Sequence, residues 1–193
     1  QADPVLRTAC KFAGGITILR QDPWEALCSF ILSQNNNIPR IKGIVKRLCE
    51  QFGEPLGESQ YGFPPPERIA SSNLDELSGL RAGFRAKYIP DAARKVASGQ
   101  LELNKVASLP YEEAKAELMQ ITGVGPKVAD CALLYGFHRL EAFPVDTWIK
   151  RVMERYYPAG LPSFALESAG VAQQYLFHSI RCGALEEPEK KSG

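Results

Sequence analysis

A lysine closes the glycine-rich run Gly123-Val124-Gly125-Pro126-Lys127, and an aspartate, Asp146, follows Phe143-Pro144-Val145 further along. Pro126 can open a helix, which puts Lys127 in its first turn. The positive end of the helix dipole disfavours an ammonium there, and partial burial would disfavour it further. The neutral amine is a nucleophile suited to Schiff-base chemistry. Cys131 lies one helical turn on and shares a face with Lys127. Asp146 sits at the expected N-cap of a later helix, where a carboxylate can stabilise positive charge developing on a sugar. Taken singly, the plainer readings of a surface lysine and a capping aspartate are favoured. The pair together points to catalysis.

The turn itself can bind. Gly123 and Gly125 allow positive φ and close backbone approach, and outward amides at a helix start form an anion site. A nucleic-acid phosphate fits such a site without a coat of lysines. The pattern at 118–130 is that of a helix-hairpin-helix, although the same residues also suit a plain glycine-containing turn. Arg40, Lys42, Lys46 and Arg47 form one basic stretch, and Arg81, Arg85, Lys87, Arg94 and Lys95 form another. Acids gather elsewhere, among them Glu112, Glu113 and Glu117, which predicts a polarised surface.

The elements that must position these residues read as helix almost throughout, so the expected class is all-α. Asp22-Pro23 starts one helix, carrying Trp24, Leu27, Phe30 and Ile31, which stops near Gln34 before three asparagines. A second helix runs from Asn37 to Gly53. Residues 54–66 read as a loop, followed by short helices. The stretch from Gly83 to Ala97 is expected to break or kink at Pro90. Helices are also expected over Tyr111–Met119, Lys127–Phe137, from Asp146 onward, and over about Ala165–Arg181. The domain reading is a core over 1–183 and a polar tail over 184–193, frayed from Glu186 onward.

Composition bounds the function. The 193 residues are 45% hydrophobic and 23% charged, which excludes a disordered chain. This length suits one domain or two small lobes. No apolar run is long enough for a membrane helix, so no membrane partner is expected. A net charge of +1 excludes a basic coat over the whole surface. Five scattered cysteines and two histidines give no zinc or iron–sulfur spacing, and they suit a reducing compartment.

The runs GVGPKVADC and AFPVDTWIKRV together resemble the helix-hairpin-helix DNA glycosylases with a Gly-Pro-Asp loop. QDPWEALCSFILSQNNNIPRI, GFRAKYI, PYEEAKAEL and AGVAQQYLF narrow the resemblance to the 8-oxoguanine DNA glycosylase/AP lyases, over about residues 18–183. The resemblance implies a two-lobed helical core that excises 8-oxoguanine opposite cytosine in double-stranded DNA. It makes Lys127 the nucleophile on C1′ and Asp146 the carboxylate that assists base loss. Cys131 and Phe177 would sandwich the extruded purine, and Gln173 would read its Watson–Crick edge. Asn35 would fill the vacated space, Phe84 would wedge the stack, and Arg40 and Arg85 would bond the orphaned cytosine. Gly123, Val124 and Gly125 would meet the DNA backbone.

The resemblance implies no required cofactor, no iron–sulfur cluster, and a hairpin cation held by the carbonyls of Met119, Ile121 and Val124. It implies a monomer, working in the cytoplasm with a bacterial nucleoid or in a eukaryotic nucleus. Trp148 stands where eukaryotic members have a phosphate-contacting histidine. Members usually carry a β-rich domain ahead of the segment that begins this sequence. The competing readings are a non-catalytic helix-hairpin-helix DNA-binding module and a glycosylase for another lesion.

Overall fold

A computed structural model describes residues 3–186. The helices, in chain order, are α1 (Pro4–Phe12), α2 (Pro23–Ser33), α3 (Ile38–Phe52), α4 (Pro66–Ala70) and α5 (Leu74–Ser78). They continue with α6 (Tyr88–Ala97), α7 (Leu103–Ser108), α8 (Tyr111–Met119), α9 (Pro126–Gly136), α10 (Thr147–Tyr156) and α11 (Ala169–Arg181). Short 3₁₀ turns at Gly83–Lys87 and Ser163–Ser168 lead into α6 and α11. The expected all-α class holds.

The helix starts follow cap chemistry. Asp22, Asn37 and Asp146 each accept a backbone N–H from the first turn of α2, α3 and α10, at 2.9, 3.0 and 2.8 Å. Four expectations need correction. Pro90 breaks nothing, because α6 begins at Tyr88 and Pro90 falls in its first turn, where no N–H is required. The last helix starts at Ala169 rather than Ala165, since the preceding residues wind as 3₁₀. The loop at 54–66 holds a small antiparallel ribbon, β1 (Pro55–Gly57) against β2 (Gln60–Tyr61), with Pro55 opposite Tyr61. Part of the expected polar tail is packed: Leu185 is buried and Glu186 pairs with Arg155. Residues 187–193 of that tail lie outside the described residues.

Two hydrophobic cores form. The larger gathers α2 to α9 around Leu27, Ile31, Ile44, Leu48, Ile89, Leu118 and Leu133. The smaller joins α1, α10 and α11 through Leu6, Ile149, Val152, Leu176 and Ile180. The chain crosses between them over residues 137–146, and a seam fixes their spacing. The Gly170 N–H donates to the Leu140 carbonyl at 2.7 Å, and Gln173 Nε2 donates to the Pro144 carbonyl at 3.0 Å.

Gly170 is required at this seam by space. A Cβ there would stand 2.4 Å from Leu134 and 2.6 Å from the Ala142 carbonyl oxygen. Gly170→Ala should therefore destabilise the protein by roughly 1–3 kcal/mol, as overpacking does. Thermal unfolding checks this. A melting temperature equal to the parent's would show that the seam is looser than described.

Candidate active site

Lys127, Cys131 and Tyr135 lie at successive turns of α9 and so project from one face. That face looks across the seam at Asp146 and at α11. Together with Phe30, Pro144, Gln173, Gln174 and Phe177, these residues line a cavity of about 140 Å³. Lysine and carboxylate thus come from different lobes to one space. Lys127 is half-buried, and its Nζ lies 5.9 Å from the centre of the Phe30 ring. Phe30 stacks on Tyr135 with ring centres 5.3 Å apart, closing the apolar wall behind the amine. Asp146 keeps its expected cap, so one oxygen is held by the Ile149 N–H while the residue borders the cavity.

Cys131 is buried beside Lys127. Burial pushes its thiol up to about 11, against the opposing pull of the Lys127 ammonium. At neutral pH it presents a neutral, polarizable sulfur and not a competing thiolate. Gln173 is also buried, and Phe177 is half-buried with the Arg181 guanidinium 5.4 Å from its ring centre. The cavity therefore offers a sulfur face, an aromatic face and one amide edge. That is the equipment for holding a flat heterocycle and reading its rim.

The hairpin between α8 and α9 is braced from α6. Gly123 has φ +83°, and a Cβ on it would meet the Tyr88 ring at 2.6 Å, so the ring packs directly against the backbone. The Asp91 carboxylate accepts from the Thr122 N–H at 2.8 Å. Lys95 Nζ donates to Asp91 at 3.0 Å and to the Gln120 carbonyl at 2.6 Å. Burial alone would raise the Asp91 carboxyl, but Thr122 and Lys95 together hold it below its ordinary value. Behind the hairpin, the buried Asp130 accepts from Tyr111 Oη at 2.6 Å and pairs with Lys115 at 2.9 Å, tying α9 to α8. No side chain caps α9, so its first-turn amides at Lys127 and Val128 face outward beside Gly125.

Met119 ends α8, and Ile121 and Val124 follow in the turn. The Ile121 carbonyl already accepts the Val124 N–H at 3.0 Å, which leaves it a second lone pair. Among the described residues no cluster of carboxylate, imidazole or thiol ligands stands ready for a metal. Any cation here would depend on backbone carbonyls.

The remaining expected residues flank the hairpin. Asn35 is exposed at φ +45° in the α2–α3 turn, and with Gly125 and Lys127 it borders a second hollow of about 330 Å³. Phe84 is 50% exposed at the tip of its 3₁₀ turn and edge-on to Tyr88. Arg40 is exposed. Arg85 is only 2% exposed and its guanidinium is engaged. It donates to the carbonyls of Gln34, Asn35 and Ala82 and lies 4.3 Å from the Phe84 ring centre. The two arginines do come together, since both guanidiniums approach Gly83, but one of them holds the loop closed. Trp148 is half-buried against the smaller core, with Arg151 5.1 Å from its ring centre.

Phe30, Tyr135, Gln174, Tyr88 and Asp91 were not among the expected site residues. Tyr135 was within reach, because it repeats the spacing from Lys127 to Cys131. Phe30 required knowledge of the crossing of α2 over α9.

Comparison with known proteins places this geometry in context. The family described as HhH-GPD superfamily base excision DNA repair protein matches residues 28–162. An N-glycosylase/DNA lyase of Saccharomyces cerevisiae is 40% identical over 158 residues, covering 74% of this chain and 42% of the yeast protein. A probable N-glycosylase/DNA lyase of Methanothermobacter thermautotrophicus is 34% identical over 208 residues, covering 91% of this chain and 66% of its own length. The chain thus spans less than two thirds of either curated relative. Among solved structures, the Clostridium acetobutylicum 8-oxoguanine glycosylase/lyase in complex with double-stranded DNA bearing cytosine opposite 8-oxoG superposes with a TM-score of 0.82. It is 38% identical and covers 95% of this chain and 68% of its own.

Two expectations follow from the packing. Arg85→Ala should lower the unfolding free energy by roughly 2 kcal/mol, because three carbonyls lose a charged donor, whereas Arg40→Ala should change it by less than about 0.5 kcal/mol. Urea denaturation separates them, and equal effects would refute the clamp. Asp91 has a lowered carboxyl, so its contribution is full above the ordinary aspartate value of 3.8 and is lost as pH falls through the lowered one. Asp91→Asn should cost about 1 kcal/mol at neutral pH, and the gap should close in strong acid.

Proposed function

The chain belongs to the HhH-GPD superfamily of base excision DNA repair proteins, and from that premise we propose that it is a bifunctional 8-oxoguanine DNA glycosylase/AP lyase. The observation that carries the reading is the cavity shared by Lys127 and Asp146, walled by Cys131, Phe177 and Gln173. An enzyme acting on a base in a duplex must extrude it, and the cavity is furnished to receive a purine. Cys131 and Phe177 sandwich the base. Gln173 bonds its Watson–Crick edge.

The reaction follows from the groups present. The Lys127 amine attacks C1′ of the damaged nucleotide as the N-glycosidic bond breaks, and the base leaves with the bonding pair and takes up a proton. Asp146 stabilises the positive charge that develops on the sugar. The Nζ proton passes to O4′ as the C1′–O4′ bond breaks and the ring opens, which leaves a protonated Schiff base between Nζ and C1′. That imine acidifies the C2′ hydrogen, and its removal expels the 3′ phosphate, so the strand is nicked on that side.

The neighbouring elements support the DNA work. Phe84 wedges the stack and Asn35 occupies the space left by the base. Arg40 and Arg85 bond the orphaned cytosine, and Arg85 must exchange loop carbonyls for the base to do so. Gly123, Val124 and Gly125 meet the phosphates. Met119, Ile121 and Val124 would lend carbonyls to a hairpin cation that draws a phosphate to the same turn. The enzyme acts as a monomer.

Borohydride trapping on duplexes with 8-oxoguanine opposite each base tests the reading. A covalent adduct is expected, strongest opposite cytosine and absent in Lys127→Gln. Intact DNA binding with no adduct would point to a binding module instead, and equal trapping opposite all four bases would remove the assigned roles of Arg40 and Arg85. Asp146→Asn is the sharper variant. Asparagine keeps the helix cap, so stability should change by less than about 1 kcal/mol. Base excision should nevertheless fall by about 100-fold or more with the charge gone.

A further inference from the structure

The Gln173 amide is held on both sides. Its Nε2 donates to the Pro144 carbonyl at 3.0 Å. A backbone carbonyl only accepts, so the group facing it is the NH₂ and the amide oxygen points away. That oxygen accepts from Nε2 of Gln174. Gln174 is half-buried and lines the same cavity. The neighbouring glutamines are therefore not equivalent. One faces the cavity edge and the other fixes how it faces.

We propose that Gln174 is a specificity-determining positioning residue, which locks the Gln173 amide so that the cavity offers an acceptor to the base. The proposal rests on the reading that this cavity receives an extruded purine. A guanine-type edge carries donors at N1 and N2, whereas an adenine-type edge presents an acceptor at N1. The Gln173 oxygen has two lone pairs. Gln174 occupies one and the other remains for a donating base. To suit an adenine-type edge the amide would have to flip. With Pro144 alone, a flip sets one oxygen against another. With Gln174 present it also sets one NH₂ against another unless the Gln174 amide turns as well, so the flipped state carries either a second adverse contact or a second rotation. Selection against the wrong purine edge thus comes from a residue that need not touch the base.

The test uses single-turnover excision from duplexes containing 8-oxoguanine, 8-oxohypoxanthine or 8-oxoadenine. Trapping of Lys127 on an abasic site serves as a base-independent control. Gln174→Leu removes the donor, and the preference for 8-oxoguanine over 8-oxoadenine should fall about 5-fold, the worth of one neutral hydrogen bond. Gln174→Glu is isosteric but reverses the bond, since the new carboxylate accepts from the flipped NH₂. It should erode the preference further, about 20-fold or more. The 8-oxohypoxanthine rate should follow that of 8-oxoguanine, because both donate from N1. Abasic-site trapping by each variant is used to normalise its three excision rates, so that only the change in preference between bases is read.

Unchanged preference in Gln174→Glu, or a smaller loss there than in Gln174→Leu, overturns the proposal, because a packing role predicts that order. If the parent traps abasic DNA but excises none of the three bases, the purine-cavity reading fails and the role of Gln174 falls with it.

Discussion

The spacing of the two lobes is the constraint on which the site depends. Lys127 belongs to the larger core and Asp146 to the chain that leads into the smaller one. Neither lobe contains a cavity with both. The seam from Gly170 to Leu140 and from Gln173 to Pro144 sets the gap at two backbone carbonyls. One of those two bonds comes from a residue that also faces the cavity. In the proposed enzyme, structural closure and base reading therefore share an atom group, which leaves little room for one to vary without the other.

How much of this was legible in the sequence depends on the range of the interaction. Asp22, Asn37 and Asp146 announced their helices because a cap is satisfied within three residues. The hairpin was visible in its two glycines for the same reason. Pro90 misled because its meaning depends on where the helix starts, and that start is set by the 3₁₀ turn before it. Arg85 was hidden more deeply. Its charge suggested an outward role, but two of the three carbonyls it satisfies come from a turn fifty residues earlier. Phe30 and Tyr135 become neighbours only when α2 crosses α9, at a point where Gly136 lies close to Pro23 and Ala26. The candidate nucleophile was readable, but the wall behind it was not.

The near-zero net charge also finds a local explanation. The hairpin needs outward amides in a stiff turn, and stiffness here is supplied partly by an acid, Asp91, with Lys95 neutralising it. Asp130 and Lys115 repeat the arrangement on the inner side. Each brace adds one negative and one positive group, so the architecture that presents the amides leaves the formal charge unchanged. Residual basic character is carried by side chains such as Arg40 that stay exposed.

The edge-on contact of Phe84 with Tyr88 and the packing of Tyr88 on Gly123 have a mechanical consequence. The exposed ring sits on the 3₁₀ turn that leads into α6, and the glycine turn packs against the first residue of that helix. In the proposed enzyme, the part that probes the base stack and the part that grips the backbone are therefore in contact through a single ring, Tyr88. Their separation acts as a gauge: wherever the grip settles on a phosphate, the probe arrives at the same offset along the duplex.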